Sequence, residues 1–468
     1  MAAKAEQSAA SGVPVPDHGE QPVPHRDTPM THAQVLAIAL PIMFSNATVP
    51  LIGFADQTVI GQLGETHLLG ATALASNLFN FLYFLFAFLR MGTTGLTAQA
   101  TGARDPSETA ASLYRPLLAA GFFGVALVLL QSPIFDIAMW GFRPSERVAN
   151  VARSYYDIRI WAAPAGLANF ALIGWFIGLG RADTTFYLQL FLNGLNIAFA
   201  VLFVSVFGWG VPGAGLAALL AEYMAVAVGI WVALAELRRR NATVSWSALG
   251  TLSRLKKLFG VSRDILIRTA CLQMAFAFFV SQGAQASDLT LAANSVLFSM
   301  TMISIYMIDG FAYAAETLVG QAIGAQRRQV FRDAIRMSTQ WAAGVSVVLA
   351  VGLYVGGGLV VDFMTTAPDV RAAARVFLAW AALVPITSVW CFQLDGIFIG
   401  ATDTATMRNM MIGAVLVYFA AWLVFAPSLG NHGLWLAIHI FFLARAVGLG
   451  WALPALERRS FPQSAAKS

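Results

Sequence analysis

Apolar runs long enough to cross a bilayer recur twelve times along the chain, where about 20 residues suffice for one helix. They lie near 34–62, 69–100, 108–132, 148–180, 184–208 and 212–236, then near 260–283, 290–324, 331–357, 370–400, 405–428 and 432–455. The pattern predicts an all-α integral membrane protein of twelve transmembrane helices. Between the two groups of six lies the most basic internal stretch, Arg238 through Lys257, a natural boundary between two lobes. The expected division is a tail at 1–33, a six-helix lobe at 34–236, a linker at 237–259, a second six-helix lobe at 260–455 and a tail at 456–468. The first 30 or so residues are rich in Pro, Ala, Gly, Ser and charge and carry no apolar core of the signal-peptide kind. They read as a disordered tail.

Composition supports the membrane assignment. The chain is 58% hydrophobic and 11% charged, against about 25% charged in soluble domains, with a mean hydropathy of +0.68. Its net charge of +5 belongs to loops that set orientation rather than to a nucleic-acid partner. One set of loops and flanks holds Arg104, Arg115, Arg181, the 238–257 cluster, Arg327, Arg328, Arg332, Arg336, Arg408, Arg458 and Arg459; the other holds Arg143, Arg147, Arg153, Arg371 and Arg375. The positive-inside rule then expects both termini and the central loop in the cytoplasm. Cys271 and Cys391 fall within apolar runs and predict no disulfide.

The halves repeat. Gln99-Ala-Thr-Gly-Ala103 matches Gln321-Ala-Ile-Gly-Ala325, and Leu172-Ile-Gly-Trp-Phe-Ile-Gly178 matches Leu394-Asp-Gly-Ile-Phe-Ile-Gly400, both at a spacing of 222 positions. Small-residue motifs recur by chance in apolar helices, but two at one spacing argue for duplication. Both fall at the basic end of even-numbered helices, so the repeats share topology and are related by an axis along the membrane normal.

The polar residues inside the apolar runs are the candidates for chemistry. Asp56 is the only ionisable group between Ala39 and Gly61. A carboxylate at that depth costs roughly 2.5–3.5 kcal/mol on insertion scales and reads as part of a cation or proton path. Pro41 and Pro50 precede it on a helix they are expected to bend. In the second half, Asp309 and Glu316 are seven residues apart and share a helix face, and Asp395 lies in the tenth run. With only Arg268 and Arg445 as bases away from the ends, these acids predict a polar cavity rather than structural ion pairs. Asn193, Asn196, Arg90 and Gln99 are further polar intruders, Arg90 having the option of snorkelling. His439 reads as hydrogen-bonded packing, and Arg153 with Asp157 as a local pair. No phosphate loop, HExxH, CxxC pair or GxSxG occurs, so no enzyme, cofactor or metal is expected.

These motifs resemble the MATE family of multidrug and toxic compound extrusion transporters, and within it the DinF-like branch. The residues that carry the resemblance are Leu40-Pro41, Phe54-Ala55-Asp56, Phe88 through Gln99, Arg263 through Thr269, Asp309 through Glu316 and Asp395 through Gly400. The similarity spans roughly 34–455. It implies two six-helix lobes around a central cleft, exporting small organic molecules against inward H⁺ or Na⁺ across the cell inner membrane. Asp56 then sits where the family's helix-one coupling carboxylate sits, with Asn193 and Asn196 beside it. Four residues after Asn196, where many such relatives carry an acid, stands Ala200, which favours H⁺ over Na⁺. Asp309, Glu316 and Asp395 match polar or acidic positions of the second lobe. A monomer exporting amphipathic, cationic or zwitterionic compounds is expected. A lipid-linked precursor flippase of the same superfamily is the rival, disfavoured by twelve rather than about fourteen spans and by acids rather than bases inside.

Overall fold

The computed structural model describes residues 30–61, 66–244 and 252–462, and these are helical with short connections. Lobe one contains span 1 (His32–Gly61), span 2 (Thr66–Leu85 and Phe88–Gly102), span 3 (Pro106–Leu129), span 4 (Glu146–Arg159 through Ala163–Gly178), span 5 (Ala182–Ala200, ending in a π turn at Val201–Val206) and span 6 (Gly210–Arg239). Lobe two contains span 7 (Leu252–Ala286), span 8 (Asp288–Gly324), span 9 (Arg328–Met364), span 10 (Pro368–Gly400), span 11 (Thr404–Leu429) and span 12 (Asn431–Ser460). Eleven are long and apolar enough to cross a membrane, and the described apolar part of span 1, His32–Asn46, is shorter. The twelve-helix all-α membrane fold is therefore as the sequence predicts.

Local chemistry explains the helix ends. Asp105 caps span 3, its carboxylate accepting from the Glu108 N–H at 2.9 Å, and Pro106 and Pro368 occupy first turns, where no amide donor is missed. Pro116, Pro385, Pro427 and Pro454 stay inside helices, which neighbouring spans tolerate in a bilayer. Leu118, Phe122, Val125 and Leu129 on span 3 and Val348, Val355, Leu359 and Phe363 on span 9 are exposed. Such faces would be liabilities in water and suit hydrocarbon.

Some boundaries differ from expectation. Span 7 starts at Leu252 rather than 260 and span 12 runs to Ser460, because Lys, Arg and Leu continue a helix well beyond the apolar run that reveals it. An additional short helix, Gln131–Phe142, links spans 3 and 4 and exposes Ile137 and Trp140. Of the expected tails at 1–33 and 456–468 and the linker at 237–259, residues 1–29, 463–468 and 245–251 lie outside the described residues.

The duplicated motifs meet across the lobes at the arginine-rich end. The Gln99 side-chain amide donates to the Gly400 carbonyl at 2.9 Å, and Gln321 donates to the Gly178 carbonyl at 3.2 Å. Each member of one pair stands 222 positions from its counterpart in the other. The glycines of the same motifs permit the approach. A Cβ on Gly102 would lie 2.0 Å from the Gln321 carbonyl oxygen, and one on Gly324 would lie 2.0 Å from that of Gln99. Thr317 adds a bond to the Ile177 carbonyl at 2.9 Å. This end of the molecule is thus shut by backbone-to-backbone contact about a pseudo-two-fold axis.

Candidate functional site

Span 8 is the element on which the charged groups converge. It packs against span 1 and span 2 of lobe one and against span 10 of its own lobe. Glu316, one turn below Ala312, is fully buried and pairs with Arg90 of span 2 at 3.6 Å. The Arg90 guanidinium lies 4.1 Å from the centroid of Tyr313, a cation–π contact that favours a desolvated arginine. Arg90 is therefore an inter-lobe ion-pair residue rather than a snorkelling one. Neither of its terminal nitrogens, nor Glu316 Oε1, has a hydrogen-bond partner among the described residues. Donors and an acceptor are thus presented at the lobe interface, where water or a polar substrate group would satisfy them.

Asp395 is bound differently. It accepts from Arg268 of span 7 and, at 2.5 Å, from Arg445 of span 12, and all three side chains are buried. Arg445 also lies over the rings of Phe392 and Phe441 at 5.0 and 5.4 Å. This corrects the expectation that the second-lobe acids avoid structural ion pairs: the two bases the sequence offers are both spent on Asp395. One carboxylate is thus shared by two arginines and ties spans 7, 10 and 12 together.

Asp309 is left in a different position from either. It is half-buried and, among the described residues, has no ion pair or hydrogen bond, although Arg90, Arg268, Asp395 and Arg445 are within electrostatic range. A carboxylate so placed can receive a cation. Beside it, Gly310 lets span 1 approach. A Cβ there would sit 2.7 Å from the Ala39 carbonyl oxygen and 3.0 Å from the Met43 side chain. These two residues flank Pro41, which is itself within the helix. Three residues beyond Met43, the Asn46 side chain donates to the Tyr306 carbonyl of span 8 at 3.1 Å. The segment of span 1 around Pro41 is therefore packed directly on the part of span 8 that carries Asp309.

Of the remaining candidates, Asn193 and Asn196 are buried on span 5, which packs on span 1, and Asn196 Oδ1 has no partner among the described residues. Asp56 belongs to span 1, and its side chain lies outside the described residues. Gln99 is part of the seam described above, where it also accepts from Lys257 at 3.4 Å. His439 is buried with Thr387 on its Nδ1 at 2.8 Å. Arg153 pairs with both Asp157 and Asp136. A mostly apolar cavity of about 380 Å³ lies apart from these acids, between Phe86, Phe88 and Phe123 of lobe one and Leu258, Phe259 and Arg263 of lobe two. Sequence reading passed over Glu222, buried at the middle of span 6. The signal was available: it is a lone acid in an apolar run, as Asp56 is.

Comparison with known proteins agrees with the fold. The MatE family model matches residues 41–202 and 266–424. The chain is 37% identical over 422 residues, 90% of its length and 91% of the relative's, to the DNA damage-inducible protein F of Escherichia coli. It is 23% identical over 451 residues, 91% of this chain and 96% of the other, to a probable multidrug resistance protein NorM of Bacillus subtilis. Among solved structures, an outward-facing multidrug resistance MATE family transporter of the MOP superfamily superposes with a TM-score of 0.84 at 19% identity, covering 91% of this chain and 96% of that one.

Proposed function

Because the chain belongs to the MatE family of multidrug efflux transporters, we propose that it is an inner-membrane antiporter exporting amphipathic, cationic or zwitterionic compounds in exchange for H⁺. Both termini and the central linker face the cytoplasm in this reading, as the distribution of Lys and Arg requires. The observation that carries the coupling mechanism is the contact of the Pro41 segment with Gly310, next to Asp309. Asp56 takes up a proton from the outer side and span 1 bends about Pro41. The bend displaces the surface on which Gly310 rests, and Asp309 loses the geometry in which it held the substrate cation. Arg90 and Glu316 bridge the lobes in this state and part when the lobes rock. Asp395 keeps spans 7, 10 and 12 together throughout. Alternating access then follows from movement of two preformed lobes around one site.

A Na⁺-coupled exchanger is the second reading, favoured by Asn196 Oδ1, which has no partner among the described residues, since a hard cation takes oxygen ligands. Export of ethidium, a fluorescent amphipathic cation, from everted vesicles separates the two. Collapse of the pH gradient alone should stop export, and collapse of the sodium gradient alone should leave it. The reverse result transfers the coupling to Na⁺.

A further inference from the structure

Glu222 stands apart from the other buried acids. Among the described residues five acids are buried: Glu222, Glu236, Asp264, Glu316 and Asp395. Four of them have an arginine within 4.0 Å, and Glu222 has none. Its partner is the Tyr83 hydroxyl of span 2, at 3.5 Å from one carboxylate oxygen and 3.4 Å from the other. The nearest positive charge is Arg159, which donates to the Tyr155 hydroxyl at 2.6 Å and lies over the Phe79 ring at 5.1 Å. Besides these, the polar groups facing it are Tyr223 on its own helix and Asn169 of span 4, whose amide donates to the Glu222 main-chain carbonyl at 3.3 Å.

Depth and packing make this a built site rather than a stray acid. Glu236, on the same helix, marks the arginine-rich rim through its pairs with Arg181, Arg239 and Arg240. Glu222 is 14 residues away, about 21 Å at 1.5 Å per residue, which places it inside a hydrocarbon core roughly 30 Å thick, past the midplane towards the opposite face. On the opposite side is the bare backbone of Gly166: a Cβ there would lie 2.4 Å from Glu222 Oε2 and 2.8 Å from the Tyr83 oxygen. The carboxyl and the phenol are held in a slot between spans 2, 4 and 6 that only glycine leaves open.

We propose that Glu222 is a second proton-carrying carboxylate of lobe one, neutral when its proton is shared with Tyr83 and ionised when that proton is passed on. A neutral carboxyl is satisfied by one phenol, since its O–H donates to the tyrosine oxygen while its carbonyl accepts. Among the described residues an ionised one has only that single donor and a displaced arginine to compensate it, which makes proton loss dependent on a rearrangement of spans 2, 4 and 6. The proton moves without any bond to carbon changing, and its source is the same gradient that drives export. The inference rests on the proton-coupled reading above.

Infrared difference spectroscopy of the full-length protein in lipid nanodiscs, between pH 8 and pH 5, tests it. Wild type should show a protonated-carboxyl band that is absent in Glu222→Gln, shifted in frequency in Tyr83→Phe and retained in Asp56→Asn. An unchanged band in both Glu222→Gln and Tyr83→Phe overturns the inference. Should Glu222→Gln fail to fold, the frequency shift in Tyr83→Phe decides alone. In proteoliposomes, ethidium exchange by Glu222→Gln should carry fewer protons per substrate than wild type. An unchanged ratio, with exchange still proton-driven, overturns this inference and leaves the reading of Asp56 standing; exchange that follows sodium overturns that reading instead.

Discussion

Replacing Asp395 with Asn should be a lesion of stability before it is one of transport. The amide keeps the volume but removes the charge that Arg268 and Arg445 share, leaving two buried guanidinium groups with one carboxylate, Asp309, in range. Breaking a buried pair by removing one partner costs about 3–5 kcal/mol, and each lost bond to a charged group is worth roughly 1.5–3 kcal/mol within that total. Against a whole-protein stability of about 5–15 kcal/mol, this is enough to lower the melting temperature markedly. The assay is thermal unfolding in detergent, read as the loss of monodisperse protein. The double variant Asp395→Asn/Arg445→Met restores the balance of charge, one arginine facing Asp309, and should recover part of the loss. If Asp395→Asn melts with wild type and fails only in export, Asp395 is a transport residue and the argument from the ion triad is wrong.

Asp309→Asn should behave in the opposite way, melting much closer to wild type than Asp395→Asn because no direct ion pair is broken, while its ethidium export at matched expression falls at least severalfold; wild-type export would remove Asp309 from the substrate site. Gly102→Val should hold the arginine-rich ends of the lobes apart, since a Cβ 2.0 Å from the Gln321 carbonyl cannot be accommodated. Raised reactivity of a cysteine introduced at Thr402, read with a thiol probe from the cytoplasmic side, reports the opening, and unchanged reactivity refutes it. A cysteine at Ala248 should resist an impermeant reagent added to intact cells, and ready labelling there would reverse the assigned topology.

The fold was almost wholly legible because a bilayer allows so few solutions. Apolar runs, loop arginines and a repeat at 222 positions are each read from composition along a line. The repeat even located the seam, though only the structure shows that Gln99 and Gln321 reach across it rather than bonding within their own lobes. The site was legible as a set of residues but not as a set of relations. Asp309, Glu316 and Asp395 look alike in sequence, and the partners of the last two lie on other spans: Arg90 more than the length of a lobe away, Arg268 and Arg445 on either side. Which acid is neutralised and which left open depends on helix rotation that hydropathy does not encode. Glu222 was legible as a lone acid in an apolar run, but what sets it apart, a glycine slot and a tyrosine in place of an arginine, is purely three-dimensional.

The central claim is that a proton on Asp56 drives the bend of span 1 that empties the site, and it is tested most directly by substrate export from everted vesicles under an imposed pH gradient. Asp56→Asn is nearly isosteric and uncharged, so the protein should fold and reach the membrane at the wild-type level. Gradient-driven export should then fall to background in the variant while wild type exports. Export that persists in Asp56→Asn and still follows the pH gradient would contradict the account.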